Sequence, residues 1–195
     1  MRCSPSHIAF LVLSMLFISC DLFETRDPQE PNSENQTLDV ASTKEILYSN
    51  FREAFQSKSS EEYKKLFSDT ITHSKQFIFI PAASIGTRYS FSWDKALEGE
   101  YFENMTSAVN ASSSLQFNLT GIPKEILYQS DSAKYSFDYV LFVPHNRGGV
   151  TQQFVGKSEI YVSQDKNYIW RIYRWVDFET KKDSSWSELK GLFAN

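Results

Sequence analysis

The sequence predicts an α+β domain in which N-terminal helices pack on one face of an antiparallel sheet. Apolar residues recur at the helical period from Ser42 to about Asn110, and at a period of two from Leu115 to Val176. Helices followed by a run of strands are typical of this class. Aromatic residues make up 15% of the chain and supply the bulk for a core that contains no disulfide.

Three helices are predicted before residue 110, and each has a start signal. An S-x-x-E capping box at 42–45 opens a helix that ends near Ser57. A second box, at 59–62, opens a shorter helix, and Ser92 is expected to cap the third. The third helix carries an apolar stripe with members four residues apart: Trp93, Leu97, Tyr101 and Met105.

The strands are predicted from short apolar runs and from alternation. Phe77–Ile80 is an apolar run stopped by a proline, and it predicts a short buried strand. Alternation then predicts strands over 115–119, 122–128, 135–143, 150–162 and 168–176. Glycines predict a turn at Gly121, a turn at 145–149 and a bulge or bend at Gly156. A third capping box, at 185–188, opens a C-terminal helix.

The last part of the chain resembles the nuclear transport factor 2-like (SnoaL-like) superfamily. Trp170–Asp177 (WRIYRWVD) and Ser185–Leu189 (SWSEL) are similar to the family's closing strand and tail. The resemblance spans about Ser42 to Leu192. It implies a strongly curved antiparallel sheet, with a cone-shaped cavity between the sheet and the helices. Family members use that cavity as a catalytic pocket, as a small-ligand site or only as a hydrophobic core.

The N-terminal residues resemble an export signal. Ile8–Ile18 is an apolar run that is too short to span a bilayer, and Leu16–Cys20 is similar to the bacterial lipobox, whose cysteine is lipidated. We therefore expect a signal peptide over 1–19, lipidation at Cys20, a disordered polar tether over 20–41 and the folded domain over 42–195. The alternative is an ordinary secretory signal with an incidental cysteine.

Composition excludes several classes of function. The chain has 24 acidic and 20 basic residues, so no overall positive field attracts nucleic acid. Cys3 and Cys20 are the only cysteines and both precede the domain, which excludes disulfides and thiol catalysis there. No HxH, HExxH or carboxylate-rich loop supplies metal ligands, so no metal and no other cofactor are expected.

Asp69 and His73 are weak candidates for acid–base catalysis. Their spacing would bring the two side chains together only if the turn between them stays helical. The favoured alternative is that Asp69 caps or solvates a helix end and that His73 is an exposed loop residue. Trp93, Tyr101 and Trp170 are candidates to line an aromatic pocket, and their alternative role is plain core.

The last predicted strand carries two arginines. Alternation places Arg171 and Arg174 on opposite faces of that strand, so at most one of them enters the cone. A buried arginine needs an anionic partner, which could be a ligand or one of the carboxylates of Glu98, Glu100 and Glu103.

These observations favour a lipid-anchored protein of the bacterial cell envelope, facing the periplasm or the exterior. Its domain is expected to bind a small ligand or an envelope protein without catalysing a reaction. One alternative is a SnoaL-like acid–base enzyme of the isomerase, cyclase or dehydratase type, with its catalytic group in the cone. Another is a structural role, in which the outer face of the sheet forms a homodimer.

The lipobox gives a direct test of the anchor. Labelled fatty acid should be incorporated into the protein in bacteria, and Cys20→Ser should abolish the labelling and release a soluble or unprocessed form. Membrane fractionation with the label as readout checks this. Unchanged processing and membrane attachment of the variant would contradict the prediction.

Overall fold

The computed structural model describes residues 37–86 and 92–194. The expected signal peptide, Cys20 and residues 20–36 of the expected tether lie outside the described residues. The helices are α1 (Lys44–Gln56), α2 (Ser60–Lys65), α3 (Ala83–Gly86), α4 (Lys95–Ser107) and α5 (Trp186–Phe193). The strands are β1 (Ile78–Ile80), β2 (Gln116–Tyr128), β3 (Ser132–Phe142), β4 (Gln153–Gln164) and β5 (Trp170–Glu179).

The described strands form one sheet in the order β1–β5–β4–β3–β2. Strands β2 to β5 are an antiparallel meander, and β1 is added parallel to β5, with Phe79 opposite Trp175. The helices cover one face of this sheet, and their apolar residues belong to the same core as its inward side chains. The predicted α+β class is therefore confirmed.

Irregular pairing bends the sheet. The β2–β3 register shifts between Thr120 and Lys124 and again between Glu125 and Leu127. Gly121 has a φ of 91° at the first shift. The sequence predicted a turn between two strands here, whereas the structure has one long strand with a bend. Because bulges increase local curvature, these shifts help to give the sheet its concave face.

A further bulge in β5 decides where its two arginines lie. Tyr161 pairs with Arg174 and Val162 pairs with Ile172, so Tyr173 is an extra residue in β5. The extra residue shifts the alternation of inward and outward side chains along β5 by one position. Arg171 and Arg174 therefore both lie on the outer side, while Ile172 is buried. The expectation of opposite faces is therefore wrong, and neither arginine enters the core.

Gly156 keeps regular register with both neighbouring strands, so the bulge predicted there is absent. It lies opposite Tyr139, and a Cβ at this position would be 2.7 Å from Cζ of that tyrosine. Glycine is therefore required because an aromatic ring lies against the backbone.

Two helices begin as predicted and two do not. Ser59 and Ser185 cap α2 and α5 through their hydroxyls. Helix α1 is capped by Thr43 instead of the adjacent serine, and α4 is capped by Asp94 instead of Ser92. The Asp94 carboxylate accepts two N–H groups of the first turn, at 2.9 and 3.0 Å, and its charge also complements the helix dipole.

The packed chain begins before the boundary expected at Ser42. The Trp170 N–H donates to the Ala41 carbonyl at 2.8 Å, and Ala41 is buried. The Asn50 amide donates to the Asp39 carbonyl at 2.7 Å. Residues 39–41 of the expected tether are thus held against the domain, by a backbone hydrogen bond from Trp170 and a side-chain hydrogen bond from Asn50.

Helix α5 places an indole in the middle of the core. Trp186 is fully buried, and its ring centroid lies 4.4 Å from that of Trp175, 5.2 Å from Tyr139 and 5.6 Å from Phe117. These are edge-on contacts, the geometry that aromatic quadrupoles favour. The C-terminal helix therefore fills one end of the space between sheet and helices.

Trp170 gives a test of the strand's faces. Trp170 is buried in β5. Replacing it with alanine is expected to lower the free energy of unfolding by about 3–5 kcal/mol, the usual range for a large core side chain. Phe178→Ala, on the exposed side of the same strand, should cost far less. Urea denaturation of both variants measures the difference, and equal losses would contradict the assignment of faces.

Candidate functional site

A pocket of about 310 Å³ lies between α1 and the concave face of strands β2 to β5. Its walls are mostly aromatic and aliphatic. The lining residues are Lys44, Glu45, Leu47, Tyr48, Phe51, Phe117, Pro123, Tyr135, Phe137, Ile160, Val162 and Ile172. This volume is at the small end of the range for ligand sites, and an apolar wall with few polar groups is typical of them.

The charged groups of the pocket belong to the first turn of α1. Lys44 donates to the Glu125 carboxylate at 2.8 Å, and its Nζ lies 6.0 Å from the Tyr135 ring centroid. Burial acts to lower the pKa of Lys44, but hydrogen bonds to Glu125 and Tyr135 outweigh it and the pKa is raised. The pKa of Glu45 is lowered, mainly by its own backbone N–H and by Thr43. Both groups are therefore charged at neutral pH.

Beyond Lys44 and Glu45, the described residues that line the pocket carry no acid, base or imidazole of their own except the tyrosines Tyr48 and Tyr135. Burial raises the pKa of Tyr135 above its ordinary value, so its hydroxyl stays protonated near neutral pH. The interior can exclude water and hold an apolar body, and a polar end of the ligand can bind at the mouth.

Asp69 lies outside this pocket and organises a turn. Its Oδ1 accepts the N–H groups of Ile71 and Thr72, both at 2.9 Å, and its Oδ2 accepts from Lys95 at 3.3 Å. The backbone hydrogen bonds are the leading cause, and they hold the pKa of Asp69 at about 2. Asp69 thus holds the turn at 69–73, not the helix end that the favoured alternative named, and a carboxyl so strongly ionised is a poor base.

His73 is buried, so its expected exposure is wrong. Its Nε2 lies 2.9 Å from the Ser163 hydroxyl, its Nδ1 accepts the Lys75 N–H at 2.8 Å, and its ring lies 6.1 Å from that of Tyr173. Desolvation lowers its pKa. His73 and Asp69 are joined through the backbone at 3.0 Å, and the structure does not bring their side chains together as an acid–base pair.

The three aromatic candidates for the pocket wall lie elsewhere. Trp93 and Tyr101 are buried around Lys190 and are not among the residues that line the pocket. Trp170 is buried beside the mouth, with its ring 5.8 Å from the Lys44 Nζ, and does not line the pocket. All three belong to the buried apolar core, which was their alternative role.

An ion pair between Glu98 and Lys190 lies in the core, fully buried on both sides. Glu98 also accepts from the Tyr63 hydroxyl at 2.8 Å and from the Trp93 indole N–H at 2.7 Å. Both oxygens of this carboxylate thus accept hydrogen bonds from protein donors. Burial lowers the pKa of Lys190 to about 8 although Glu98 opposes the shift.

Aromatic rings surround the ammonium group of Lys190. The nearest ring centroids, those of Phe79 and Trp175, lie 3.9 and 4.0 Å from its Nζ. Ring faces stabilise a desolvated cation, which offsets part of the cost of burial.

A second buried carboxylate, Asp177, ties α5 to β5. One oxygen accepts from the Tyr139 hydroxyl at 2.7 Å, and the other accepts from the Ser187 N–H and hydroxyl at 2.7 and 2.6 Å. Burial raises the pKa of Asp177, while Ser187 and Tyr139 act in the opposite direction. Like Glu98, it is buried, and both of its oxygens accept hydrogen bonds from protein donors.

Sequence reasoning named Glu98 only as a possible partner of a buried arginine and missed Lys190, although a signal existed. Glu98 lies on the buried stripe of α4 with Tyr101 and Met105, and Lys190 lies on that of α5 with Trp186. A charged residue on each of two apolar stripes indicates a buried pair.

Within the described residues, no group of three or more His, Cys, Asp or Glu side chains is placed to hold a metal ion. Over residues 37–86 and 92–194, no helix has the length and apolarity to cross a bilayer.

Solved structures show which fold this is. A nuclear transport factor 2-like superfamily protein from Salmonella enterica has a TM-score of 0.53 at 16% identity, covering 70% of this chain and 87% of its own. A protein from Streptomyces avermitilis, provisionally named a dehydratase of that family, has 0.54 at 10% identity, covering 70% and 93%. A conserved protein from Planctomyces limnophilus has 0.54 at 13%, covering 69% and 91%. No family model and no curated protein sequence matches.

The domain therefore has the nuclear transport factor 2-like cone fold, as the resemblance of its closing strand and tail predicted. That fold includes both dehydratases and proteins that bind without catalysis. The likeness at these identities concerns the fold, so function is argued from the site.

The buried ion pair gives a sharp stability test. Lys190→Met should cost about 3–5 kcal/mol of unfolding free energy, because it leaves the Glu98 carboxylate buried without its cation. The double variant Glu98→Gln, Lys190→Met removes both charges and keeps an acceptor for Tyr63, so it should be clearly more stable than Lys190→Met.

Lys64→Met is the matched control, since Lys64 pairs with Glu103 at an exposed site and should contribute less than about 1 kcal/mol. Urea unfolding measures all three variants. A double variant no more stable than Lys190→Met would show that the ion pair does not act as described.

Proposed function

We propose that this chain is a lipid-anchored protein of the bacterial cell envelope whose domain binds a small, mainly apolar ligand without catalysing a reaction. One observation carries the proposal: the pocket under α1 has aromatic and aliphatic walls, with Lys44 and Glu45 as its charged residues. An apolar surface of this kind gains free energy when a ligand removes it from water. The lipobox-like pentad ending at Cys20 supports the anchor.

The acid–base enzyme is the alternative, and the geometry disfavours it. Proton transfer needs a group with a suitable pKa at the reacting atom. Lys44 stays protonated and Glu45 stays ionised at neutral pH, and Asp69 and His73 lie outside the pocket. The name of the Streptomyces relative points toward dehydratase chemistry, but this chain places no acid–base pair in its pocket.

The pocket favours a ligand with an apolar body and one polar end. The body would lie against Phe51, Phe137 and Ile160 in the interior. The polar end would lie at the mouth, where the Lys44 ammonium group and the Tyr135 hydroxyl offer donors. The Phe and Ile side chains of the walls accept apolar bodies of more than one shape. The Lys44 and Tyr135 donors determine that the polar end of the ligand enters last.

The test uses an apolar fluorescent probe, N-phenyl-1-naphthylamine, with the mature chain carrying Cys20→Ser so that no attached lipid competes. Wild type should bind and enhance the fluorescence of the probe. Val162→Phe adds a ring where Val162 lines the pocket, and should weaken binding by about tenfold or more. Val155→Phe is the matched control, on the same strand with its side chain on the outer face, and should bind as wild type does.

Melting temperatures of both variants establish that the fold is retained. Equal binding by wild type and Val162→Phe would contradict the proposed site. A reaction that the wild type catalyses and that Asp69→Asn or His73→Gln abolishes, with probe binding unchanged, would favour the enzyme instead.

A further inference from the structure

One end of the domain exposes three large apolar side chains. Ile71 is 80% exposed, Tyr168 is 77% exposed and Val40 is 66% exposed. They are the three most exposed large hydrophobic residues in the described part of the chain. Scattered exposed apolar residues are ordinary, but a group at one end of a domain marks an interaction surface.

Hydrogen bonds bring the three segments that carry these residues together. Lys166, in the β4–β5 turn, donates its N–H to the Thr72 carbonyl at 3.0 Å and its ammonium to the Ile71 carbonyl at 2.8 Å. At the start of β5, directly after this turn, Trp170 donates to the carbonyl of Ala41, next to Val40. The loop at 69–73, the turn at 165–169 and the segment at 37–41 therefore form one continuous end, which we call the docking end.

Tyr168 is held in a conformation that does not favour tyrosine. Its φ is 61°, in the left-handed region, and the turn is held there because the Asp165 carboxylate accepts the N–H groups of Asn167 and Ile169 at 2.8 and 3.0 Å. The ring gains almost no burial in return. Stability of the free domain thus gives no reason for a tyrosine at this position, where glycine or asparagine would fit better.

The chain reaches its expected anchor from this same end. Thr37, the first described residue, lines a shallow hollow together with Ile169 and Arg171. Only residues 21–36 separate it from Cys20, a length of at most roughly 55 Å when fully extended. The segment at 37–41, through which the chain leads back to Cys20, is thus part of the docking end.

We propose that the docking end rests on the bilayer surface, with Tyr168, Ile71 and Val40 in the interfacial region and Lys166 beside the lipid headgroups. Tyrosine is favoured at membrane interfaces, and the apolar side chains of Ile71 and Val40 gain free energy when they leave water there. Burial and not charge drives this contact, since the docking end carries Asp39, Asp69 and Asp165 against Lys166. This inference rests on the envelope anchor of the proposed function and adds a second contact, which orients the domain.

The test is flotation of the mature chain carrying Cys20→Ser with vesicles of phosphatidylcholine and phosphatidylglycerol, so that no covalent lipid contributes. Wild type should float with the vesicles. The double variant Ile71→Ser, Tyr168→Gly should lose about fivefold or more of the bound fraction, because two apolar side chains no longer leave water. Its fold is preserved, since glycine relieves the positive φ, and circular dichroism checks this.

Phe178→Ser is the matched control. Phe178 is 41% exposed near the opposite end of β5, and its replacement should leave flotation unchanged. Failure of wild type to float, or equal loss in Phe178→Ser, would overturn the proposal. So would Tyr168-dependent capture of an envelope protein without any vesicle binding, which would assign the docking end to a protein partner.

The result of the flotation experiment can be distinguished from the results that test the proposed function. Probe binding in the pocket and fatty-acid labelling at Cys20 are measured independently, so either can fail while flotation succeeds.

Discussion

The ion pair between Glu98 and Lys190 is the interaction on which the rest of the structure depends. It joins α4 to α5 in the buried core, where an unpaired charge would be far more costly than a missing contact. Because the carboxylate is also held by Tyr63 and Trp93, and the ammonium group lies between aromatic rings, the pair is satisfied in one arrangement of the helices. Such a requirement for partners selects a single packing among the many that a purely aromatic core would tolerate.

That packing determines where a ligand can bind. With α5 held in place, Trp186 fills one end of the cone, and Asp177 secures the start of the same helix through Ser187. Glu98 and Asp177 are thereby buried among protein donors, whereas the pocket under α1 keeps an apolar wall. Among the described residues, the buried polar network that stabilises the fold is thus separate from the lining of this pocket. This separation supports the proposed binding function.

The pocket mouth and the proposed docking end lie close to each other. Lys44 at the mouth is 5.8 Å from the ring of Trp170, whose N–H binds Ala41 in the segment next to Val40. A domain resting on a bilayer by that end would present its pocket near the lipid. A ligand that partitions into membranes would then have a short path to the site, which relates the proposed anchor, orientation and binding to one another.

Local pattern alone determined the class of this protein and most of its elements. Periodicity depends on which face of a helix or strand is buried, and the caps at Ser59 and Ser185 depend on residues three positions apart, so both can be predicted from neighbours in the chain. The tertiary structure decided the rest. Whether Arg174 lies inside or outside depends on a bulge in β5, and the partner of Glu98 is 92 positions away in sequence. Contacts between distant segments depend on how the whole sheet curves and how the helices pack on it, and no local pattern carries that information.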